Sequence, residues 1–338
     1  MKKLAYYAGI MIVIIIVLPM LIVKGCGHPA EKKPPEETMI PSELKISVYD
    51  AITKKSAVMN LEEYIKGVVA AEMPADFDIE ALKAQAVAAR TFAYGRLTGV
   101  YKSTAGVHDG IDICTDSTHC QAWSSKENAM KKWSILFAAR NWGKIEKAVN
   151  ATKGMIVVYK GSIANTLFHA SSAGRTENSE DVWSGVAVPY LRSVESSGDE
   201  DSKGYVTSIS VDRAEFLEKL KKAYPDNKFD KDIFKSIRIM DHTEGGRVRT
   251  LKIGDIKLKG TEFRKLLKLR SSAFKIIENK DGSLKITTTG YGHGVGMSQW
   301  GADSLAKKGG TYTEILKHYY TGVDIIPISE YLNLGGSK

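Results

Sequence analysis

The chain has 338 residues, enough for one large domain or two modest ones with a substantial core. Its 48 lysines and arginines exceed its 39 acids, which gives a net charge of +9. This excess is scattered, and no arginine-rich run alternates with aromatic residues, so the composition argues against a nucleic-acid-binding protein.

The N-terminal segment has the composition of a membrane anchor. Residues 4–23 are uncharged and mostly apolar, long enough to span a bilayer, and Lys2 and Lys3 precede them. We predict a single transmembrane helix within 1–23, a cytoplasmic N-terminus and an extracytoplasmic body. The alternative is a cleaved signal peptide, whose apolar core is normally shorter. Residues 24–43 are polar and contain prolines, which predicts a flexible tether. Cys26 leaves a lipoprotein open, although Lys24 fits such processing poorly.

The first helix of the body carries an acid on its apolar face. A strand and a turn are predicted over 44–59, and then a helix that Asn60 caps and Pro74 stops. Glu72 continues the helical stripe formed by Leu61, Tyr64, Ile65, Val68 and Val69. Burial favours the protonated form of such a carboxyl, and a carboxyl poised in this way suits proton transfer.

A second helix should begin near Asp76 or Asp78. Lys83 and Arg90 lie seven residues apart on one of its faces, and if they are near Glu72 they would favour its carboxylate form. A different face carries a packing stripe made of Leu82, Ala86, Ala89, Ala93 and Leu97. The alternative is that Glu72 merely ends its helix with its carboxyl in solvent, and that Lys83 and Arg90 lie on a solvent-exposed face.

A short loop over 105–123 combines metal-binding residue types. His108, Cys114, His119 and Cys120 fall within thirteen positions, and two thiolates with two imidazoles make a complete tetrahedral set for Zn²⁺. Such a closed set would be structural, since catalytic zinc keeps an open position. A disulfide between Cys114 and Cys120 is the alternative for an extracytoplasmic domain.

The middle of the chain predicts a helix over 126–152 with Trp133, Phe137 and Ala138 inside, and then strands over 155–159 and 164–169. The second strand ends at His169 and is followed by short polar residues, which are typical of a binding loop on a rigid scaffold.

Strands and short helices alternate over 205–286, and we predict a smaller α/β subdomain at 201–286, inserted between a core at 44–200 and its C-terminal part at 287–338. No reactive groups cluster in the predicted insertion. The glycine-rich stretch at 290–302 contains His293 and Gln299 but lacks the spacing of a phosphate-binding loop. A last helix is predicted over 313–320, and the fold class is α+β.

Three long strings resemble the stage II sporulation protein D family, in the same order and across nearly all of the body. They are EMPADFDIEALKAQAVAARTFA, FHASSAGRTENSEDVW and GYGHGVGMSQWGA. The anchor, the tether and the His108, Cys114, His119 and Cys120 set also match, and this set is similar to the structural zinc site of clostridial members. The resemblance implies a lytic transglycosylase that cleaves the bond between N-acetylmuramic acid (MurNAc) and N-acetylglucosamine (GlcNAc) in peptidoglycan, preferring glycan without stem peptides, while the forespore is engulfed.

The resemblance also implies roles for individual residues. Glu72 would be the catalytic acid, and the glycan would contact Lys83, Arg90, His169, Ser171, Ser172 and Tyr190. The implied partners are a sporulation cell-wall amidase and a membrane scaffold, at the septal membrane of the mother cell. Two rival functions are a conventional muramidase with Glu177 or Asp181 as its second carboxylate, and a noncatalytic activator of an amidase. The closed ligand set argues against a third, a zinc hydrolase.

Overall fold

The structure, a computed structural model, describes residues 44–101, 110–183, 185, 187–230 and 232–335. Within these ranges helices alternate with short sheets, which confirms the mixed α+β class. None of the helices in the described ranges combines the length and hydrophobicity needed to cross a bilayer. The predicted anchor at 1–23 and tether at 24–43 lie outside the described residues.

A hairpin and a helix begin the described chain. Strands β1 (Lys45–Asp50) and β2 (Lys55–Asn60) pair antiparallel, so the region predicted as one strand and a turn contains two strands. Helix α1 (Leu61–Glu72) follows directly, and Asn60 caps it by accepting a 2.9 Å hydrogen bond from the Glu62 N–H. The apolar stripe that predicted α1 is buried, which confirms the helix and its buried face.

Helix α2 (Ile79–Leu97) lies at the centre of the core. It begins after Asp78, one of the two predicted starts, and Asp78 caps it by accepting a 2.8 Å hydrogen bond from the Glu80 N–H. Six of its fourteen buried residues are alanines, so neighbouring elements can approach closely on several sides. Its neighbours include α1, helix α4 (Ile135–Ala151) and strand β4 (Met155–Tyr159).

The prediction of a single helix over 126–152 is wrong in one respect, because this segment forms two helices. Helix α3 (Lys126–Lys132) ends before Trp133, whose backbone is extended, and Ser134 precedes α4. Ala138 is buried as predicted, but Phe137 is 46% exposed. The first turn of α4 extends beyond the core, which also leaves Ile135 and Leu136 in solvent.

Small sheets complete the core. Strand β4 lies between strands β5 (Ser162–Ile163) and β14 (Asp324–Pro327). The strand predicted over 164–169 is reduced to β6 (Phe168–His169), which pairs in parallel with β13 (Met297–Ser298). This pairing brings the segment after His169 beside the start of helix α8 (Gln299–Lys307). The other core elements are β3 (Ile113–Cys114), α5 (Ser179–Val182), α9 (Tyr312–Tyr319) and α10 (Ile328–Asn333).

The segment predicted as an insertion contains its own apolar cluster, built around Phe216, Leu251, Phe263 and Ile286. It forms two three-stranded sheets, with strand orders β10-β9-β8 and β11-β12-β7. Its elements are β7 (Val206–Val211), α6 (Arg213–Ala223), β8 (Arg238–His242), β9 (Val248–Ile253), β10 (Ile256–Lys259), α7 (Gly260–Leu267), β11 (Phe274–Glu278) and β12 (Leu284–Thr289).

A buried ion pair connects this segment to the rest of the fold. The Arg247 guanidinium lies 3.8 Å from the Glu177 carboxylate, and Thr243 donates a 2.9 Å hydrogen bond to the same carboxylate. Arg247 also donates to the Gly292 carbonyl at 3.0 Å. Burial raises the pKa of Glu177 to about 7, although Arg247 opposes this rise. These contacts fix the insertion, including α7, against the glycine-rich segment.

Candidate functional site

An open cleft of about 740 Å³ lies where the C-terminal end of α1, the loop after β3, strand β6, helix α7 and the start of α8 meet. These elements are distant in the sequence. The side chains among its walls that can bind, stack or transfer a proton are Glu72, Phe92, Ser117, Thr118, His119, Cys120, Gln121, Thr166, His169, Trp183, Arg264, Tyr291, His293 and Gln299.

Glu72 is the acidic residue among the described residues that line this cleft. Its Oε1 accepts a 2.8 Å hydrogen bond from the Ala122 N–H, and its Oε2 lies 3.4 Å from the Gln299 amide nitrogen. Burial raises the pKa of Glu72, and these two hydrogen bonds oppose the rise. Glu72 also ends α1, where the negative end of the helix dipole disfavours another negative charge.

Glu72 makes no ion pair with a lysine or arginine of the described residues. Burial and the helix end therefore act on the carboxyl without an ion-paired cation among the described residues, and both favour its neutral form. A raised carboxyl pKa is the direction of shift that favours a general acid.

The glycine-rich segment brings Gln299 to Glu72. Gly294 has φ of 90°, and a Cβ there would lie 2.6 Å from the Arg247 guanidinium, so only glycine fits. Ser298 then caps α8 by accepting a hydrogen bond from the Gly301 N–H. Gln299 is the first residue of that helix, which explains why its amide can reach the Glu72 carboxyl.

Two neutral histidines also line the cleft. His169 Nδ1–H donates to the Val295 carbonyl at 3.2 Å, and Nε2 accepts from the Ser172 hydroxyl at 2.7 Å. Burial lowers the pKa of His169 well below its usual value and lowers that of His293 to about 3. Both rings are therefore uncharged at neutral pH, and His169 has both its nitrogens engaged by the protein.

The predicted metal loop borders the same cleft. The ligand atoms of Cys114, His119 and Cys120 all lie within 4.8 Å of one another. His119 Nδ1 is 3.7 Å from the Cys114 sulfur and 3.3 Å from the Cys120 sulfur. Tetrahedral zinc with bonds of about 2.0–2.3 Å separates its ligand atoms by roughly 3.3–3.8 Å, so these residues fit Zn²⁺. His108, the fourth predicted ligand, lies outside the described residues.

No disulfide joins Cys114 to Cys120. The loop that contains them is instead fixed against α1, because the Ser124 N–H donates to the Gly67 carbonyl and Trp123 packs where a side chain at residue 67 would lie. This loop also supplies the Ala122 N–H that holds Glu72. The loop that contains Cys114, His119 and Cys120 therefore also holds the Glu72 carboxyl in place.

Lys83 and Arg90, which would favour the carboxylate form of Glu72 if they were near it, pair with other acids. Arg90 is fully buried and pairs through two nitrogens with Glu62, at 2.8 and 2.6 Å, at the opposite end of α1. Lys83 pairs with Glu80 at 2.6 Å and lies near the Tyr312 ring. Neither side chain lines the cleft, so neither makes the predicted contact with substrate there.

Three other predicted glycan contacts also lie outside the cleft. Ser171 and Ser172 are buried beneath it, where Ser171 exchanges backbone hydrogen bonds with Tyr291 and Ser172 orients His169. The Tyr190 hydroxyl accepts a 2.8 Å bond from the Asn165 N–H, and its ring packs against Tyr159. Of the predicted substrate-binding residues, His169 alone lines the cleft that the structure describes.

Several cleft residues were not predicted as site residues. For Gln299 and His293 the sequence carries a signal, the glycine-rich stretch at 290–302, but its spacing matches no phosphate-binding loop and predicts no site. Arg264 had none, because it occurs in an amphipathic helix of the segment predicted to carry no reactive cluster. Trp183 ends one motif and Tyr291 lies within another, and their exposed rings are apparent only in the fold.

The fold and the cleft define an α+β protein in which one buried carboxyl faces an open groove beside a cluster of thiols and imidazole. The model of the SpoIID family, described as "Stage II sporulation protein", matches residues 49–159. The chain is 37% identical to stage II sporulation protein D of Bacillus amyloliquefaciens and 36% identical to that of Bacillus subtilis (strain 168), over 98% of each chain in both comparisons. The chain therefore belongs to the stage II sporulation protein D family, as its motifs predicted.

A more distant relative is the protein named amidase enhancer in Bacillus subtilis (strain 168). It is 28% identical over 310 residues, which are 77% of this chain and 40% of that protein. The similarity thus extends through most of this chain but covers less than half of the relative.

Proposed function

We propose that this sporulation protein is a lytic transglycosylase that cleaves the β-1,4 bond between MurNAc and GlcNAc in peptidoglycan. The observation that carries the proposal is the single carboxyl among the described residues of the cleft. Glycosidases that use water normally place two carboxyl groups around the bond. An enzyme whose nucleophile is a hydroxyl of the substrate needs one group to give and then take a proton.

Protonated Glu72 acts first as the general acid. Its Oε1 is fixed by the Ala122 N–H, and the longer Gln299 contact leaves Oε2 as the oxygen for proton transfer. Oε2 gives its proton to the oxygen that links C1 of MurNAc to C4 of GlcNAc. The bond from C1 to that oxygen breaks, and GlcNAc leaves with a free 4-hydroxyl.

The Glu72 carboxylate then acts as the general base. It takes the proton of the C6 hydroxyl of the same MurNAc residue while that oxygen bonds to C1. The product is a 1,6-anhydro ring, the carboxyl is protonated again, and no water is consumed. The surroundings that raise the pKa of Glu72 favour this return of the proton.

The positions of Glu177 and Asp181, the two candidate second carboxylates of a conventional muramidase, argue against that function. Glu177 is fully buried and is engaged by Arg247 and Thr243. Asp181 lies 3.1 Å from the Arg249 guanidinium. Neither lines the cleft, so neither is positioned to activate a water across the sugar from Glu72.

Cys114, His119 and Cys120 would hold a structural Zn²⁺, with His108 proposed as the fourth ligand. The ion would supply a charge that keeps the thiolates and the imidazole together, and all four positions would be occupied by protein. The proton transfers remain with Glu72. The residues of the loop contribute by holding the Ala122 N–H against that carboxyl.

The Cys114→Ser variant should lose this metal. Metal analysis of the purified full chain should fall from about one zinc per chain to a small fraction of that, with a lower melting temperature, because a ligand is lost. Cys26→Ser, which removes a thiol from a residue outside the loop, should keep the metal. A zinc-free wild type in which mass spectrometry finds Cys114 joined to Cys120 would overturn the metal site.

The proposed setting is the engulfment of the forespore. The chain would be anchored in the mother-cell septal membrane by residues 1–23, with its body outside the cytoplasm. Its partners would be glycan strands, a cell-wall amidase that removes stem peptides, and a membrane scaffold. The relative named amidase enhancer supports the link to an amidase and also favours a second candidate function, a noncatalytic activator of such an enzyme.

The products of glycan digestion separate these functions. Incubation of the full chain with purified peptide-free glycan should give fragments ending in 1,6-anhydroMurNAc, which mass spectrometry identifies as lighter by one water than hydrolysed ends. Reducing ends would show a muramidase instead. The absence of any cleavage, together with stimulation of an added amidase, would establish the activator.

A further inference from the structure

The cleft contains an arginine that has no carboxylate partner among the described residues. Arg264 projects from α7, and its Nε donates a 3.2 Å hydrogen bond to the Leu269 carbonyl, which fixes the plane of the guanidinium. None of the ion pairs between described residues includes Arg264. Burial lowers its pKa, but an arginine remains charged at neutral pH.

Arg264 is the one arginine or lysine among the described residues that line the cleft. His169 and His293 are neutral there, and no lysine lines the cleft within the described part of the chain. Glu72 carries its proton in the resting state proposed above. The wall thus presents a partly desolvated cation, and a carboxylate is the natural partner because its two oxygens match the guanidinium fork.

The proposed substrate offers one such group beside each scissile bond. MurNAc differs from GlcNAc by a lactyl ether on C3, whose carboxyl group is either joined to a stem peptide as an amide or free as a carboxylate. The amide form is uncharged and carries a chain of further residues. The free form is a compact anion.

We propose that Arg264 binds the free lactyl carboxylate of a MurNAc residue in the cleft and so makes removal of the stem peptide a condition for tight binding. This inference rests on the proposed function. It places a cationic glycan contact on α7, whereas the family resemblance implied cationic glycan contacts at Lys83 and Arg90. Trp183, 44% exposed beside the His293 ring at 5.1 Å, provides an aromatic face against which the same sugar can stack.

The test measures binding by calorimetry in the full chain carrying Glu72→Gln, so that no ligand is cleaved. The three probes are peptide-free GlcNAc–MurNAc tetrasaccharide, the same compound with its lactyl carboxyls converted to methylamides, and chitotetraose, which has no lactyl group. We expect the acid to bind about ten- to a hundredfold more tightly than the methylamide, the range for a hydrogen bond to a charged group.

Adding Arg264→Gln should remove this preference and leave the weaker binding of chitotetraose unchanged. Lys265→Gln is the matched control, because it removes the same charge from an exposed neighbour on α7 outside the cleft. Arg264→Lys should keep part of the preference, since a lysine retains the charge but not the fork. It also serves as the test if Arg264→Gln melts at a much lower temperature than its parent.

The outcomes separate the role of Arg264 from the proposed cleavage of glycan. Equal binding of acid and methylamide by the parent, or a preference that survives Arg264→Gln, would overturn the role of Arg264 and leave the proposed cleavage of glycan intact. Failure of the parent to bind any of the three sugars would instead count against the glycan substrate itself.

Discussion

Glu72→Gln should abolish glycan cleavage while the protein remains folded. The substitution keeps the size of the side chain but removes the proton that the glycosidic oxygen receives and the base that the C6 hydroxyl requires. General acid–base groups contribute about 10²- to 10⁴-fold, and Glu72 serves in both steps, so the rate of release of anhydro ends should fall by at least that range. Mass spectrometry of timed glycan digests measures the loss.

Glu63→Gln is the matched control on the same helix, because Glu63 is exposed and pairs only with Lys66 among the described residues. It should cleave like the wild type. The pH profile gives an independent check. Glu72 must be protonated to start the reaction, so activity should fall as the pH rises through its raised pKa. Full activity of Glu72→Gln would refute the catalytic assignment.

Arg90→Leu should destabilise the fold by about 3–5 kcal/mol, the cost of breaking a buried ion pair. Glu62 would lose both of its guanidinium bonds, and the Met155 and Val149 carbonyls would each lose a donor. In a chain of this size the melting temperature should fall by roughly ten degrees. Denaturant unfolding and thermal melting both measure this change.

The partner substitution separates the two roles suggested for Arg90. Glu62→Leu together with Arg90→Leu should recover much of the loss, because no buried charge then remains unpaired. Lys83→Ala should cost less than about 1 kcal/mol, as expected for a pair near the surface. An Arg90→Leu protein of normal stability but without activity would show that the arginine acts on substrate, contrary to its position.

The geometry of two packed helices explains why the sequence placed Arg90 wrongly. Arg90 is eleven residues beyond Ile79, at the start of α2, or about 16 Å along the axis, and Glu62 lies ten residues before Glu72, or about 15 Å. The short connection between α1 and α2 makes the helices run back along each other. Arg90 therefore reaches the beginning of α1, while Glu72 remains at its end beside the cleft.

The sequence by itself determined what depends on near neighbours. The caps at Asn60 and Asp78, the apolar stripe that includes Glu72, and the thiols and imidazole of Cys114, His119 and Cys120 are all local patterns. Such patterns follow from helical periodicity and from ligand chemistry within one loop. The three family motifs also identified the family without any coordinates.

Only the tertiary structure decided what surrounds Glu72. Gln299 and Arg264 lie 227 and 192 residues after it, and they reach the cleft because β6 pairs with β13 and because Arg247 fixes the insertion against the glycine-rich segment. No periodicity within either segment encodes these approaches, since they depend on packing between elements. Local sequence patterns were therefore sufficient to predict Glu72 as the acid, whereas Gln299 and Arg264 could be placed in the cleft only from the tertiary structure.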